Sequence, residues 1–582
     1  MKKLMLGNEA VARGAYEYGI TVATGYPGTP STEIIENIVK YENINAEWSP
    51  NEKVALEVGI GASIAGARTI VSMKHVGLNV AMDPFMSISY PGVNAGLVVA
   101  VADDPGQHSS QNEQDTRYFG IAAKIPIVEP SDSEECKEFV GAALEISESF
   151  DTPVILRLST RVSHSQSLVT IKEKQDIILK DYDENPNKYI VAPAVAKKRR
   201  VIAEDRLRRL EAFAETTALN KVEYKDKKIG IITSGVAYQY AKEVLPNASY
   251  LKLGLSYPLP ENKIKEFVNS CEVVYVIEEL EPIFEEKIKS WGLKIVGKDV
   301  IPTIGELNPE IIRKALLGRS IEGVSPSFSK ELPIRPPILC PGCHHRGVFY
   351  VLKKLGLHVA GDIGCYTLAA FPPLSAMDTS ICMGASIGMA FGFEKARGKD
   401  FAKKSVAVIG DSTFIHSGIT GLIDVVYNKG NTTVIILDNS ITGMTGHQEN
   451  PATGYTLRGQ TTTSIDFEAL GRAIGIKRIK VVDAYDLSTL EQVLKEETLA
   501  EEPSLIITKR PCVLLKRAKM VNKALIVNEE SCKGCRACLK IGCPSISFKD
   551  NKAQINKMLC VGCKLCSKIC KFGAIIAIGD ED

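Results

Sequence analysis

Eight of the fifteen cysteines fall between residues 532 and 570, in two runs: C-x2-C-x2-C-x4-C-P from Cys532 to Pro544 and C-x2-C-x2-C-x3-C from Cys560 to Cys570. Crowding of this kind points to metal ligation rather than to a disulfide framework. Three thiolates on one tight loop can cap three irons of a cubic cluster, while the fourth ligand must arrive from elsewhere. CxxC pairs also hold zinc, but two consecutive triplets favour iron–sulfur clusters. Other residues with chemical potential lie upstream. Glu52 stands in WSPNEKVALEVGIGASIAGAR (48–68), and Asp411 and Asn439 lie in GDSTFIHSGITGLIDVVYNKGNTTVIILDNSITGMTG (410–446). Four further cysteines surround that second segment: Cys340 and Cys343 in CPGC, Cys365 in GDIGCYT and Cys512 in RPCV.

The tail resembles a bacterial-type ferredoxin with two [4Fe–4S] clusters. The resemblance implies one cluster on Cys532, Cys535, Cys538 and Cys570 and another on Cys560, Cys563, Cys566 and Cys543, since the fourth cysteine of each run serves the other cluster. The first run carries one extra residue, with Gly542 available to absorb it, and the second has Lys571 where proline is usual. Segment 48–68 resembles the pyrimidine-binding domain of thiamine-diphosphate enzymes. Glu52 would there hydrogen-bond the aminopyrimidine N1′ and so support deprotonation of the thiazolium C2; the alternative is an ordinary helix-start glutamate. Segment 410–446 looks like the diphosphate-binding motif: Gly410-Asp411, Ser412 where glycine is common, then Asn439. Asp411 and Asn439 would ligate Mg²⁺ with the carbonyl of Ile441, a small protein share of the kind Mg²⁺ takes beside phosphate oxygens.

DTSICMGASIGMAFGF (378–393) resembles the stretch that supports the bent cofactor, with Met383 as the apolar wedge between its rings or, alternatively, as plain core. GYPGTPSTE (25–33) looks like the Tyr-Pro-x-Thr-Pro loop of pyruvate:ferredoxin-type oxidoreductases, where Thr29 would face the oxoacid. The alternative is a turn entering a helix capped by Ser31. In superfamily members with a cluster close to the cofactor, cysteines in places comparable to Cys340, Cys343, Cys365 and Cys512 form its cage. A third [4Fe–4S] cluster is expected here, with buried structural thiols as the alternative.

These residues need elements to hold them. TIVSMKHV (69–76), GLVVAVAD (96–103) and TPVILRLS (152–159) each suit a buried strand, with helix patterns at 53–66 and 133–149 between them. Such alternation predicts an α/β layer on a parallel sheet. The basic stretch AKKRRVIAEDRLRRLEAFAETT reads as a solvated helix crossing between domains. KIGIITSG, SYLKLGL and EVVYVIEE suit strands of a second α/β unit, and SVAVIGD (405–411) and TTVIILDN (432–439) those of a third. The expected organisation is α/β and multidomain: a pyrimidine-binding-type domain at 1–185, a charged helical linker at 186–225, a transketolase C-terminal-like α/β domain at 226–330, a diphosphate-binding-type domain at 331–520 and a two-cluster ferredoxin-type domain at 523–582.

Thiamine domains in this order, fused to a two-cluster tail, resemble the alpha-subunit family of the indolepyruvate ferredoxin oxidoreductases, within the thiamine-diphosphate-dependent 2-oxoacid:ferredoxin oxidoreductase superfamily. The narrower likeness rests on the fusion, the C-x4-C-P variant and CPGCHHRG (340–347). It implies oxidative decarboxylation of aryl pyruvates, chiefly indolepyruvate, with coenzyme A taking the acyl group and ferredoxin the electrons. A smaller beta subunit and a dimer of alpha–beta units are the implied assembly. Another 2-oxoacid, pyruvate or a branched-chain one, is the alternative substrate; a non-redox decarboxylase and a purely electron-carrying subunit are disfavoured by the intact cysteines and by Glu52, Asp411 and Asn439. A cation for the substrate carboxylate is sought among Lys74, His75 and His108, each histidine having a structural role as its alternative. The net charge of +1 gives no reason to expect nucleic acid or an anionic membrane as partner. No run approaches a membrane span and the first residues make a poor signal peptide, so a cytoplasmic protein is expected.

Overall fold

A computed structural model describes residues 1–318, 333, 335–518 and 522–579. The chain divides into two compact units, Met1–Ser327 and Phe328–Asp582. The expected junctions at 330–331 and at 520 lie outside the described residues, as does the end of the tail at 580–582.

The first unit is built on a seven-stranded sheet. Its spatial order is Leu255–Tyr257, Ile127–Val128, Val154–Ser159, Leu97–Asp103, Thr69–Lys74, Val22–Gly25 and Asn45–Trp48. All neighbours run parallel except Leu255–Tyr257, which is antiparallel. The central strands are buried along their whole length, as the unbroken apolar runs of a sheet covered on both faces require. The strand expected over 69–76 stops at Lys74, and His75–Val80 turns directly into a helix. A second sheet, in the order Val273–Ile277, Asp226–Thr233, Ala248–Leu253 and Asn220–Glu223, is parallel except for its last strand.

The expected linker is therefore part of this unit. Its helix, Pro193–Thr216, buries one narrow face through Ala203, Arg206, Leu210 and Ala214, and the end of the same stretch forms the edge strand Asn220–Glu223. Buried ions join the two sheets. Arg117 is 1% exposed; its guanidinium donates to Asp115, the cap of the helix Thr116–Ala123, and to Glu278, which follows the strand Val273–Ile277, at 2.6 Å each. Arg157 donates to Asp103 at 2.7 Å and to Glu129 at 3.0 Å. Loss of any one of these cations would leave carboxylates buried without compensation, at a cost of several kcal/mol.

The second unit holds a five-stranded parallel sheet ordered His358–Ala360, Ser405–Gly410, Thr433–Asp438, Ser504–Lys509 and Arg478–Asp483. The cysteine tail folds beside it on two small antiparallel ribbons, Leu525–Val527 with Ile575–Ala577 and Ile546–Lys549 with Lys552–Ile555. Among the described residues, no helix is long and apolar enough to cross a membrane.

Candidate functional site

Strands that run parallel bring all their carboxyl ends to one edge, where open α/β sheets hold their ligands. In the first unit, Thr29 follows the strand Val22–Gly25, Glu52 follows Asn45–Trp48, Lys74 ends Thr69–Lys74 with His75 next, and His108 follows Leu97–Asp103. Glu52 opens the helix Glu52–Ile64 behind its cap Asn51, whose side chain accepts from the Val54 amide. The Glu52 side chain is buried, at 5% exposure. Its neighbour is Gly77 in the next helix: a Cβ there would lie 2.6 Å from Glu52 Oε1 and 2.9 Å from Cδ. No such contact is tolerated, so the hydrogen at Gly77 is what leaves the carboxyl its place.

Of the three cations considered for the substrate, Lys74 sits nearest the Thr29 loop. A Cβ on Gly28 would meet Lys74 Cβ at 3.0 Å, and Ser109, whose carbonyl accepts from Lys74 Nζ at 2.7 Å, donates its hydroxyl to the Thr29 carbonyl at 3.3 Å. Burial pushes the Lys74 ammonium down to about 8, against the pull of Asp104. Asp104 in turn holds the loop, accepting from the Ser109 amide at 2.8 Å and the Thr160 hydroxyl at 2.7 Å. His75 is wholly buried with Nε2 3.3 Å from the Asn112 carbonyl, and burial lowers its pKa. That burial disfavours the charged ring. His108 turns to Glu306, Nε2 to Oε2 at 2.8 Å, and the same carboxylate accepts from Arg161. Ser31 stands at the start of the helix Thr32–Ile38, but its hydroxyl donates back to the Gly28 carbonyl at 2.8 Å instead of capping.

In the second unit the same rule applies. Asp362 and Cys365 follow His358–Ala360, Asp411 follows Ser405–Gly410, Asn439 follows Thr433–Asp438, and Cys512 follows Ser504–Lys509. Asp411 is 3% exposed; Oδ1 accepts from the Ser412 amide at 2.7 Å, while the buried Oδ2 has no hydrogen-bond partner among the described residues. Burial, with Asp438 beside it, pushes this carboxyl up to about 8. Asn439 Oδ1 accepts from the Ile441 amide at 3.0 Å. The two loops are joined by the Thr442 hydroxyl donating to Ser412 Oγ at 2.9 Å, and the Cys512 amide donates to the Asn439 carbonyl at 2.9 Å. A buried carboxylate oxygen left without a donor fits a cation.

Sequence reasoning missed three residues that build this edge. Asp362 accepts from the amides of Gly384 at 2.8 Å and Ser386 at 3.0 Å, fixing the turn that follows the half-buried Met383. The Tyr366 hydroxyl accepts from the Gly410 amide and donates to the Ile363 carbonyl, both at 3.0 Å, so the Cys365 loop is tied to the Asp411 loop. Arg346 donates to the carbonyls of Cys340 at 3.1 Å, Ile541 at 3.3 Å, and also Leu339 and Gly542. It pins CPGC to the cysteine tail. Asp362 was legible as a Gly-Asp directly after a strand, the same pattern as 410–411; nothing marked Arg346 beyond its place in CPGCHHRG.

The cysteines gather in three groups. Cys532, Cys535, Cys538 and Cys570 line one small cavity. Cys543, Cys560, Cys563 and Cys566 line a second, closed on one side by Pro341 and Gly342. Cys340, Cys343, Cys365 and Cys512 influence one another's charge, and burial pushes Cys343 up to about 12 and Cys365 to about 11. Thiols crowded so closely and so deeply are costly as free thiolates; bound iron reverses that cost. Among the described residues no three His, Cys, Asp or Glu side chains are placed to hold a single metal ion. Gly542 closes the extra turn of the first run at φ 68°, with room for a Cβ blocked by Pro373 and Arg346 at 3.0 and 3.1 Å.

Three family models match. Residues 13–224 match the thiamine-diphosphate-binding domain of pyruvate flavodoxin/ferredoxin oxidoreductases, 362–508 the C-terminal binding domain of thiamine pyrophosphate enzymes, and 553–576 a 4Fe-4S binding domain. Indolepyruvate oxidoreductase subunit IorA of Pyrococcus horikoshii is 38% identical over 98% of this chain and 96% of its own. The same subunit from Archaeoglobus fulgidus is 39% identical over 99% and 97%. The chain belongs to the IorA family of indolepyruvate oxidoreductase subunits. Outside it, the 2-oxoglutarate synthase subunit KorA of Archaeoglobus fulgidus is 23% identical over 52% of this chain and 96% of its own. The IorA family membership carries with it thiamine diphosphate and iron–sulfur domains on one α/β chain.

The Gly77 contact generates a test. Gly77→Ala should leave cofactor content unchanged but lower turnover on the order of 10²-fold, the scale of lost acid–base assistance, and slow exchange of the cofactor C2 proton read by NMR. Normal exchange in Gly77→Ala, with slow exchange in Glu52→Gln, would show that Gly77 does not position the carboxyl.

Proposed function

We propose that this chain is the catalytic subunit of a 2-oxoacid:ferredoxin oxidoreductase that acts on aryl pyruvates, indolepyruvate first. The balanced reaction converts R–CO–COO⁻ and coenzyme A thiol to the acyl thioester, CO2, a proton and two electrons. A single observation carries the reading: Glu52, the Asp411–Asn439 pair and the gathered cysteines all occupy carboxyl edges or cavities of one chain. Thiamine diphosphate supplies the electron sink for loss of CO2, and [4Fe–4S] clusters supply one-electron carriers.

The chain's own residues do the rest. Glu52 holds and releases a proton at the aminopyrimidine. Asp411 Oδ2, Asn439 and the Ile441 carbonyl hold Mg²⁺ against the diphosphate, with Gly410 and Ser412 shaping the loop. Met383 supports the cofactor's bend. Thr29 and Lys74 take the oxoacid, with His75 and His108 kept to structural roles. Cys532, Cys535, Cys538 and Cys570 hold one cluster, Cys560, Cys563, Cys566 and Cys543 another, and Cys340, Cys343, Cys365 and Cys512 a third. A smaller beta subunit, ferredoxin and coenzyme A are the partners, in a cytoplasmic dimer of alpha–beta units.

Anaerobic viologen reduction by the chain with its partner subunit, across indolepyruvate, phenylpyruvate and pyruvate, tests the reading. Indolepyruvate should give the highest kcat/KM, and Glu52→Ala should lower kcat on the order of 10²–10⁴-fold; preference for pyruvate would redirect the substrate assignment. Lys74 predicts a pH limb. Its ammonium is charged below about 8, so kcat/KM should fall as pH rises through that value and the limb should vanish, at a lower plateau, in Lys74→Met. An unchanged limb would remove Lys74 from the substrate site. Iron analysis of anaerobically purified protein decides the cluster count: three clusters carry twelve irons and Cys512→Ser should lower that to eight, whereas eight in fully loaded wild type would exclude the third.

A further inference from the structure

The chain as a whole is nearly neutral, with 70 basic and 69 acidic residues, yet residues 523–582 carry ten Lys and Arg against six Asp and Glu. Among the described residues none of these ten cations forms an ion pair; the contacts made by Lys533, Lys552 and Lys568 are to backbone carbonyls. Among the described residues Lys533 and Arg536 line the Cys532 cavity and no cation lines the Cys560 one, while the exposed Glu529 and Glu530 precede Cys532.

The two cavities differ in what covers them. The Cys560 group is closed by Pro341 and Gly342 of the CPGC loop, and a Cβ on Gly342 would lie 2.2 Å from Val561 Cγ2. Tyr485 and Arg346 clamp the same loop from either side, through the Gly342 and Cys340 carbonyls. This end faces inward, toward the Asp411 edge. Among the described residues the Cys532 group has no such cover. Cys535 is exposed, as are Lys533, Arg536 and Lys571 around it, and Phe572 is 48% exposed at the same rim. Arg536 is held ready: its guanidinium lies 4.4 Å over the Phe548 ring.

We propose that this rim is the docking face for an acidic one-electron carrier protein, and that the Cys532 quartet is the cluster from which electrons leave. The proposal rests on the ferredoxin-linked reading above and adds where the carrier binds and by what force. Three exposed cations, Lys533, Arg536 and Lys571, beside an apolar contact and an exposed cysteine quartet are complementary to an acidic surface carrying its own cluster near the edge. Such complementarity acts mainly on encounter, raising association by about 10–10³-fold and fading with salt. A small cationic dye gains nothing from it.

The test uses the complete enzyme with its partner subunit under anaerobic turnover, with an acidic two-cluster ferredoxin or methyl viologen as acceptor. In wild type, kcat/KM for ferredoxin should fall at least about tenfold as ionic strength rises from roughly 20 to 200 mM, while viologen reduction stays level. Lys533→Glu/Arg536→Glu/Lys571→Glu should lower kcat/KM for ferredoxin about tenfold or more at low salt and flatten its salt dependence, with iron content and viologen turnover unchanged. Lys197→Glu/Lys198→Glu, an exposed pair on the long helix of the first unit, should do neither. A salt-insensitive wild type, or equal loss in the distant pair, overturns the proposal without any variant of the tail having to fold. Failure of wild type to reduce viologen with any 2-oxoacid would instead overturn the functional reading.

Discussion

A parallel sheet delivers the carboxyl end of every strand to one edge, and this chain uses that constraint twice. Each strand that ends there hands on a short loop or a helix start, so residues far apart in sequence arrive side by side. Thr29, Glu52 and Lys74 belong to three different strands of one sheet; Cys365, Asp411, Asn439 and Cys512 belong to four strands of another. The apolar runs that bury these strands have no chemistry of their own. They fix the edge rigidly, and rigidity is what a cofactor with several simultaneous contacts requires.

Burial at these edges creates electrostatic demands that the neighbouring residues meet in different ways. Asp362 is buried completely, and backbone amides of Ile363, Gly384 and Ser386 satisfy its carboxylate. Arg346 is 3% exposed and spends its guanidinium on carbonyls of two segments. Both are closed accounts, so both act as fasteners. Asp411 differs because its Oδ2 is left over and its proton is held up to about 8 by burial and by Asp438. A carboxyl that is costly to ionise alone becomes a strong ligand once a divalent cation is next to it. The contrast between Asp362 and Asp411, two Gly-Asp pairs after strands of the same sheet, lies in that oxygen: the backbone satisfies the first carboxylate and leaves part of the second over.

Much of this was readable from residue order. The buried strands of both large sheets announced themselves as apolar runs, and the ferredoxin resemblance of the tail implied the two cysteine groups that line its two small cavities. What local pattern could not give was long-range pairing. The strand Asn220–Glu223 reads as the end of a charged linker because its partners, Ala248–Leu253, lie a helix away. Leu255–Tyr257 joins the first sheet across the nominal boundary at 226 by pairing with Ile127–Val128. His75 and His108 looked equivalent to Lys74 as cations; their partners, Asn112 and Glu306, are set by loops that no periodicity describes. Gly77 reads as an ordinary helix glycine until the Glu52 carboxyl is seen against it.

The two ends of an electron route make opposite demands on the fold. Where the substrate is oxidised, water must be kept from the reacting centre and the groups held fixed; where the electron leaves, a carrier must approach closely and depart again. The second unit grades its cysteines accordingly. Cys343 and Cys365 lie deep enough for burial to dominate their thiol chemistry, Cys566 is buried behind the CPGC loop, and Cys535 stands in solvent. Cys532, at the outer end, is the one whose thiol is drawn below the ordinary range, by the Ala553 amide and other backbone donors. Amide donors to sulfur and contact with water both stabilise added negative charge, and both are levers on cluster potential. Amide donors reach sulfur in all three groups, at Cys343, Cys560 and Cys532 among others, whereas of the twelve grouped cysteines only Cys535 is exposed, so contact with water rather than amide bonding is what sets the outer quartet apart.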